Sequence, residues 1–308
     1  MNELKYYRPM LDCLLVKEQS YQMPMPMPMP MPPHQHLNGK DNGTSPLRLR
    51  QKVCNWYYEF VDHFNFDREV VGVAINYFDR YTSINADSLD DEHNILDTYQ
   101  TLAATALFLA IKLHATSCEV DSLHKVRKQA LSKIIYGHAN PKKIYEMEMN
   151  ILRCLDWCVN PPTLHQFAFM FYKFHPLCDI CSELGSYIYE ATRYQVELAI
   201  FMPELLANFK PSVIVYAAIK NAEEKICAVN PHILTADMKR SLEASMPSHS
   251  GVIVDPTAVA PCQMLLKRVC PELPDLDYFS DSMTDTLCCN KSSRTDSNSP
   301  SNVVDFCA

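Results

Sequence analysis

Two apolar segments that lack a polar face constrain the fold of this chain more than any other feature. The first covers residues 102–111 and is interrupted only by Thr105, and the second covers residues 213–219. A helix that is apolar on all sides is typical of the centre of a bundle, so the sequence predicts two central helices. The tripeptide Ala-Ile-Lys occurs near the end of both segments, at 110–112 and 218–220, which favours a duplicated bundle.

Further helices are predicted around these two. Apolar residues recur at steps of three and four, the spacing of one helix face, within residues 49–64, 70–81, 144–155, 164–174 and 184–198. Asp67 and Thr163 precede two of these stripes and are predicted helix caps. The sequence therefore predicts an all-α protein with two consecutive helical bundles.

Proline-rich and polar stretches set the predicted domain limits. The break Asn-Pro-Pro at 160–162 separates the bundles, and a Met-Pro alternation at 23–33 predicts an extended linker, either a plain spacer or a proline-recognition ligand. The predicted parts are an N-terminal segment with this linker at 1–46, bundles at 47–160 and 161–272, and a disordered Ser/Asp-rich tail at 273–308.

The composition argues against several classes of protein. The formal net charge is −8, the wrong sign for binding phosphates, so protein partners are favoured and no nucleic acid is expected. The longest apolar run is shorter than the ~20 residues that cross a bilayer, so no membrane span is expected. Thirteen cysteines without a signal-peptide pattern indicate reduced thiols in the nucleus and/or cytoplasm. We predict no catalytic residue and no cofactor, because no phosphate loop or nucleophile motif occurs.

Two pairs of charged residues lie beside apolar stripes. Lys112 directly follows the first apolar segment, where an ammonium needs water or acceptors, and Glu148 lies one position from a stripe and could face the same surface. The alternatives are an internal salt bridge, two solvated charges, or a charged surface for a partner. Arg50 and Asp79, on the shoulders of their stripes, form a possible buried structural pair.

Several motifs, taken in order, resemble the two boxes of the cyclins. They are residues 50–56 with Glu59, 76–80 (Asn-Tyr-Phe-Asp-Arg), 109–112 (Leu-Ala-Ile-Lys), 160–163 (Asn-Pro-Pro-Thr) with Gln166 and Phe167, 210–212 (Lys-Pro-Ser), and Pro261 with Cys262. The resemblance covers about residues 47–272 and implies two tandem five-helix cyclin folds. Residues 110–114 most resemble algal, diatom-type cyclins. Residues 11–15 resemble the Leu-x-Cys-x-Glu motif of D-type cyclins but lack its glutamate, so no such interaction is expected.

The resemblance implies a regulatory subunit that binds and activates a cyclin-dependent serine/threonine protein kinase in cell-cycle control. It places Lys112, Leu113, His114 and Glu148 at the kinase interface, although His114 stands where relatives often have an acidic residue. The chain would act by holding the kinase in its active arrangement and would not itself be an enzyme. The alternatives are a cyclin-fold transcription factor that contacts DNA or polymerase, and a kinase-independent cyclin-fold scaffold.

The resemblance also implies a patch that recruits substrates or inhibitors with Arg-x-Leu motifs. Its members are an apolar floor of Leu49, Val53 and Trp56 and a polar rim of Glu59 and Gln100. Lys52 departs from the usual apolar residue and would repel an incoming arginine. The alternative, that Trp56 is simply a core residue, stays open.

Three weaker signals remain. Cys178-x-x-Cys181, preceded by His175, has metal-like spacing, but one such pair cannot close a tetrahedral site, so no metal is predicted. Ser45 and Ser299 each precede a proline and are candidate phosphorylation sites. Ser45 is equally a candidate helix cap.

Overall fold

The computed structural model describes residues 3–21, 46–86, 95–114, 141–180, 182–229 and 256–274. Within these ranges all regular secondary structure is helical, so the predicted all-α fold is confirmed. The Met-Pro alternation, Ser45, Ser299 and residues 275–308 lie outside the described residues. Among the helices that the structure describes, none has both the length and the apolar character needed to cross a membrane.

The chain divides into two compact units. One is Met23–Pro161, and the other combines Met1–Gln22 with Pro162–Ala308. The domain limits at residues 46, 160 and 272 stay predictions. The grouping of the first residues with the second unit is a feature that the sequence did not predict.

That grouping is due to α1 (Glu3–Ser20), a helix that our reading of the sequence did not assign. Leu11 and Leu15, one turn apart, are fully buried. Pro9 inside the helix and the charged residues around it obscure the helical spacing. The segment that resembles the D-type motif therefore lies in a helix whose two leucines pack inside the protein.

The unit Met23–Pro161 is built around one buried helix. Its described helices are α2 (Pro46–His63), α3 (Glu69–Ile84), α4 (Ile95–His114) and α5 (Pro141–Cys154). Residues 101–111 of α4 are all buried, and α4 packs against α3 and α5. The Tyr57 hydroxyl of α2 donates a hydrogen bond to the Ala103 carbonyl at 2.7 Å. The central position predicted for this apolar segment is therefore the one observed.

The second unit repeats the plan around another apolar helix. Its described helices are α1 and α6 (Leu164–Phe174), α7 (Leu177–Ile180), α8 (Ser182–Phe201), α9 (Pro203–Asn208), α10 (Pro211–Val229) and α11 (Pro256–Val269). Residues 212–219 of α10 are buried, and α10 packs against α6, α8 and α11. Thr163 caps α6 in a capping box, in which its side chain accepts from the Gln166 amide.

A buried polar cluster links the end of α6 to α10. His175 Nε2 lies 3.2 Å from Glu223 Oε1, and the Leu177 amide donates to His175 Nδ1 at 3.2 Å. Since Nδ1 accepts the Leu177 amide, Nε2 is the ring nitrogen that donates to the carboxylate. Lys220 Nζ lies 3.1 Å from the other Glu223 oxygen. Burial alone raises the pKa of Glu223, but hydrogen bonds from His175 and the Lys220 charge outweigh it and lower that pKa.

Candidate protein-docking site

Lys112 and Glu148 form an ion pair between α4 and α5. Lys112 Nζ lies 2.6 Å from Glu148 Oε1. The Lys112 side chain is 45% exposed, whereas that of Glu148 is only 9% exposed. The pair forms because Lys112 ends the buried stretch of α4, and its long stem carries the ammonium outward to a carboxylate on the neighbouring helix. Of the alternatives that the sequence left open, the structure shows the internal salt bridge.

Large apolar side chains are exposed beside this pair. Leu113 follows Lys112 on α4, and Tyr145 and Met149 lie on α5, three residues before and one residue after Glu148. The Tyr145 side chain is 60% exposed. We call these five residues the docking face. Exposed apolar groups around a partly buried charge are typical of protein interaction sites. Neither Tyr145 nor Met149 was predicted, although Tyr145 is three residues from Glu148 and four from Met149, the spacings at which helix side chains are neighbours.

His114 bonds within its own unit. Its Nε2 lies 2.8 Å from the Val159 carbonyl oxygen and 3.0 Å from the Tyr77 hydroxyl, which also donates to Val159. The Nε2 proton therefore holds the chain that follows α5 against α3 and α4. The role of His114 in kinase binding stays a prediction, and the geometry gives it a positioning role inside this unit.

The turn after α5 presents a tryptophan. Asp156 and Trp157 have φ values of 49° and 58°, in the left-handed region that bulky residues rarely adopt. Arg80 Nη1 donates to the Cys158 carbonyl at 2.7 Å, and the next carbonyl, that of Val159, is held as described above. These bonds offset the backbone strain. The Trp157 side chain is 62% exposed. This residue was not predicted to be functional, although it is one of only two tryptophans in the chain.

Arg50 and Asp79 join α2 to α3 through a bidentate ion pair. Arg50 Nε lies 2.8 Å from Asp79 Oδ1, and Nη2 lies 2.8 Å from Oδ2. Arg50 is only 3% exposed, and its Nη1 also contacts Cys54 Sγ at 3.8 Å. Burial opposes the charge on Arg50, but Asp79 outweighs it and raises the arginine pKa. Burial also raises the pKa of Cys54 to about 12. The pair is a structural tie between the two helices.

The predicted Arg-x-Leu patch lies partly exposed along α2. Leu49, Val53 and Trp56 are half-buried and occupy one side of the helix at steps of four and three. Lys52, Glu59 and, on α4, Gln100 are exposed.

Trp56 has both packing contacts and solvent exposure. Its ring contacts Tyr57 and Phe60, with centroids 5.5 and 5.9 Å away. Trp56 is therefore partly packed against core residues and partly open to solvent. Its role in recruitment stays a prediction.

The cysteine pair is only partly described. The Cys178 thiol donates to the Tyr172 carbonyl at 2.7 Å, and Cys181 lies outside the described residues. Both ring nitrogens of His175 are engaged by Glu223 and the Leu177 amide. In the part of the chain that the structure describes, no cluster of His, Cys, Asp and Glu side chains could hold a metal ion.

Residues 23–160 match the family model described as the N-terminal domain of cyclins. This segment of the chain is similar to the cyclins. The match covers the unit that contains the docking face, and the resemblance inferred from the sequence is confirmed.

Curated relatives of this chain include two proteins named for the G1/S transition. It is 25% identical over 181 residues to G1/S-specific cyclin CLN2 of Candida albicans, which covers 56% of this chain and 36% of that protein. It is 25% identical over 118 residues to G1/S-specific cyclin-E1 of Mus musculus, covering 38% and 26% of the two chains. The chain thus spans between 26% and 36% of the length of these relatives.

Among solved structures, a viral cyclin from herpesvirus saimiri is similar over 72% of this chain and 84% of its own. The sequence identity is 16% and the TM-score is 0.47.

Proposed function

We propose that this chain is a regulatory subunit that binds and activates a cyclin-dependent serine/threonine protein kinase in cell-cycle control. The proposal is supported by the match of residues 23–160 to the N-terminal domain of cyclins and by relatives that are named G1/S-specific cyclins. Proteins of this family regulate a partner enzyme and carry out no chemical step of their own. We place the chain in the nucleus and/or cytoplasm, where such a kinase works.

The observation that carries the proposal is the docking face. Lys112 is held by Glu148 on one side and remains 45% exposed on the other. Its ammonium is therefore accessible to acceptors on a partner, while Leu113, Tyr145 and Met149 supply exposed apolar surface. An apolar patch around an oriented charge fixes both the position and the orientation of a bound helix or loop.

The kinase would be activated by a shift in population from its inactive to its active conformation. A kinase needs its conserved lysine and glutamate paired and its metal-binding aspartate in place before it transfers phosphate. A subunit that binds this arrangement more tightly than the inactive one raises its population by the ratio of the two affinities. No residue of this chain needs to touch ATP or substrate for that effect.

A reconstitution experiment tests the proposal. The purified full chain is mixed with a panel of purified cyclin-dependent kinases, and complex formation and phosphate transfer to a peptide are measured. We expect a stable complex with at least one kinase and a higher rate of phosphate transfer. Failure to bind any of these kinases would overturn the proposal.

A charge exchange tests the docking face itself. The double substitution Lys112→Glu with Glu148→Lys keeps an ion pair between α4 and α5 but reverses the charges offered to a partner. We expect kinase binding to weaken by about tenfold or more, while circular dichroism and the melting temperature show an intact fold.

The matched control exchanges the second ion pair between the same helices. Lys143 Nζ lies 2.7 Å from Asp97 Oδ2, and both side chains are exposed. Asp97 lies about 22 Å along the α4 axis from Lys112. Asp97→Lys with Lys143→Asp should leave kinase binding unchanged. If the exchange at 112 and 148 also leaves binding unchanged in a folded protein, the docking face is wrong and a scaffold role for the chain gains support.

For recruitment we propose that the α2 patch binds Arg-x-Leu peptides. Leu49, Val53 and Trp56 would receive the leucine, and Glu59 with Gln100 would receive the arginine. Exposed Lys52 has the same charge as the incoming arginine. Lys52→Val should tighten peptide binding and Trp56→Ala should weaken it, as measured by fluorescence anisotropy. A peptide with alanine in place of both motif residues is the control, and equal binding of both peptides would rule the patch out.

A further inference from the structure

Three kinds of contact attach α1 to the rest of the second unit. Leu11 and Leu15 supply buried apolar surface. Near the end of α1, the Glu18 carboxylate accepts from the Ser212 amide at 2.7 Å and from the Ser212 hydroxyl at 2.8 Å, at the first turn of α10. Near its beginning, the contacts are between aromatic rings and cations. Two cations take part in these last contacts: Arg8 of α1 lies over the Phe174 ring of α6, 5.1 Å from its centroid, and Lys173 of α6 lies over the Tyr7 ring of α1.

Lys173 of α6 lies among three aromatic rings. Its Nζ is 5.7 Å from the centroid of Tyr7, 5.5 Å from that of Phe169 and 5.5 Å from that of Tyr172. Tyr7 belongs to α1, whereas the other two rings are carried by α6. The rings of Tyr7 and Phe169 also pack edge to face, at 5.9 Å and 81°. The ammonium of Lys173 therefore bridges α1 and α6 through its attraction to ring faces.

The part of this cluster carried by the second unit is fixed by other contacts. Tyr172 packs against Tyr189 of α8, with ring centroids 4.8 Å apart. Phe169 and Tyr172 precede Lys173 by four residues and one residue on the same helix. Tyr7 is the one ring of the three that arrives from α1. Removing the Lys173 charge should therefore mainly weaken the packing of the first half of α1 against α6.

We propose that Lys173 is a modification site and that acetylation of its ε-amine loosens α1 from α6. The deprotonated amine would attack the carbonyl carbon of an acetyl thioester, the C–S bond would break, and the thiolate would leave as the nitrogen loses its remaining extra proton. The product is a neutral amide, which the ring faces no longer attract as they attract an ammonium. Methylation keeps the charge and would leave α1 in place. The Lys173 side chain is partly exposed, so the amine is within reach of an acetylating enzyme.

Hydrogen exchange measured by mass spectrometry tests the effect on α1. The full chain is prepared with acetyl-lysine incorporated at position 173, and as the variants Lys173→Gln and Lys173→Arg. In the acetylated protein and Lys173→Gln, amides of α1 should exchange about threefold to tenfold faster, the effect of losing a partly desolvated cation–π contact. Lys173→Arg keeps the charge and should exchange at the rate of the unmodified chain.

Two controls separate this effect from a general loss of stability. Lys5→Gln removes the same charge from an exposed position of α1 and should leave its exchange unchanged. Amides of the central helix α10 beyond its first turn, where Ser212 bonds Glu18 of α1, should exchange at the same rate in all forms. Equal acceleration in α1 and α10, or no acceleration of α1 in the acetylated protein, would overturn the proposal.

A double-mutant cycle identifies the ring that senses the charge. Tyr7→Leu should itself speed exchange in α1, and Lys173→Gln should add little in its presence, because both changes break the same contact. If the two effects simply add, Lys173 does not act through Tyr7 and the proposal fails.

Discussion

The Arg50–Asp79 pair shows how much a single contact can hold in this fold. The guanidinium is buried, both of its bonds to Asp79 measure 2.8 Å, and the two residues are 29 positions apart. Removing one partner of such a pair leaves an uncompensated charge inside the protein, which costs more than the pair itself contributes.

The first prediction concerns this pair. Asp79→Ala should lower the free energy of unfolding by about 3 kcal/mol, because Arg50 would stay buried without its counter-charge. Urea denaturation measures the change. The exposed pair of Lys142 and Glu146 is the control, and Glu146→Ala should cost at most ~0.5 kcal/mol. Replacing both partners, with Arg50→Met and Asp79→Leu, should recover much of the loss. Equal costs for Asp79→Ala and Glu146→Ala would contradict this account.

The second prediction concerns the thiols. Burial raises the pKa of Cys54 and of Cys262 to about 12, whereas Cys13 and Cys158 are exposed. Because only the thiolate reacts with alkylating reagents, iodoacetamide near neutral pH should label Cys13 and Cys158 before Cys54 and Cys262. Peptide mapping by mass spectrometry separates the sites, and denatured protein should be labelled at all four. Labelling of Cys54 as fast as Cys158 in the native protein would show that the core around Arg50 is open.

At the scale of single residues, the sequence showed which charged residues lie beside apolar stripes. It did not show which group each of them bonds. Lys112 needed an acceptor because it ends a buried stretch, and Glu148 supplies one at 2.6 Å. The bond from His114 to Val159 joins positions 45 residues apart. Helical spacing reaches only three or four residues along the chain, so it contains no information about such a partner.

At the scale of elements, α1 is the part of the fold that helical periodicity describes least well. Its buried residues are few, and Glu18 is a charged group at a buried position. Burial raises the pKa of Glu18, against the two bonds from Ser212 that lower it. The carboxylate accepts the amide of Ser212 in the first turn of α10, where helix amides have no partner within the helix.

The third prediction follows from this cap. Glu18→Ala should lower the free energy of unfolding by ~1 to 3 kcal/mol, since the Ser212 amide would remain buried without an acceptor. Glu18→Gln keeps an acceptor oxygen and should cost less. Urea denaturation gives the two values, and amide exchange at the first turn of α10 should rise only in Glu18→Ala. Equal costs for the two substitutions would show that the hydrogen bonds do not account for the effect.

The fourth prediction concerns the junction between α6 and α10. The pKa of Glu223 is lowered from 4.5 in the folded protein, so ionised Glu223 contributes stability above that pH. This contribution is lost as the pH falls through the folded-state pKa, because the unfolded chain then binds more protons. The stability difference between the wild type and Glu223→Gln should be constant well above pH 4.5 and shrink below it. Denaturation at several pH values measures this, and a difference that does not change with pH would contradict the ion cluster.

At the scale of the whole molecule, charge and architecture restrict the partners. The formal net charge is −8, and the family model matches the unit Met23–Pro161 almost from end to end. A net negative chain has no excess of cations with which to release counterions from DNA. These facts favour a protein partner over the alternative of a cyclin-fold transcription factor.

The fifth prediction tests this point. The chain should not bind a fluorescent DNA duplex at physiological salt, as measured by anisotropy. Lowering the salt should give at most weak binding without sequence preference. Tight binding whose logarithm falls steeply with the logarithm of salt concentration would support the DNA-contacting alternative.

The helical fold could be predicted because it depends on local periodicity. The stripe within residues 49–64 and the apolar segment at 102–111 correspond to α2 and to the buried part of α4, and Thr163 caps α6 as its position before Leu164 indicated. The exposure of Trp157 could not be predicted, because it depends on left-handed backbone angles and on a bond from Arg80 to Cys158, two residues that are 78 positions apart.

The sequence by itself determined where most of the described helices form, which two of them are central and that the chain resembles the cyclins, because these depend on residue spacing and on ordered motifs. Only the tertiary structure decided that Lys112 bonds Glu148, that His114 faces Val159, and that α1 belongs with the second unit. Glu18 and Ser212 are 194 positions apart. Contacts at such separations depend on how helices pack, and packing is decided by the shape and charge of whole surfaces rather than by spacing along the chain.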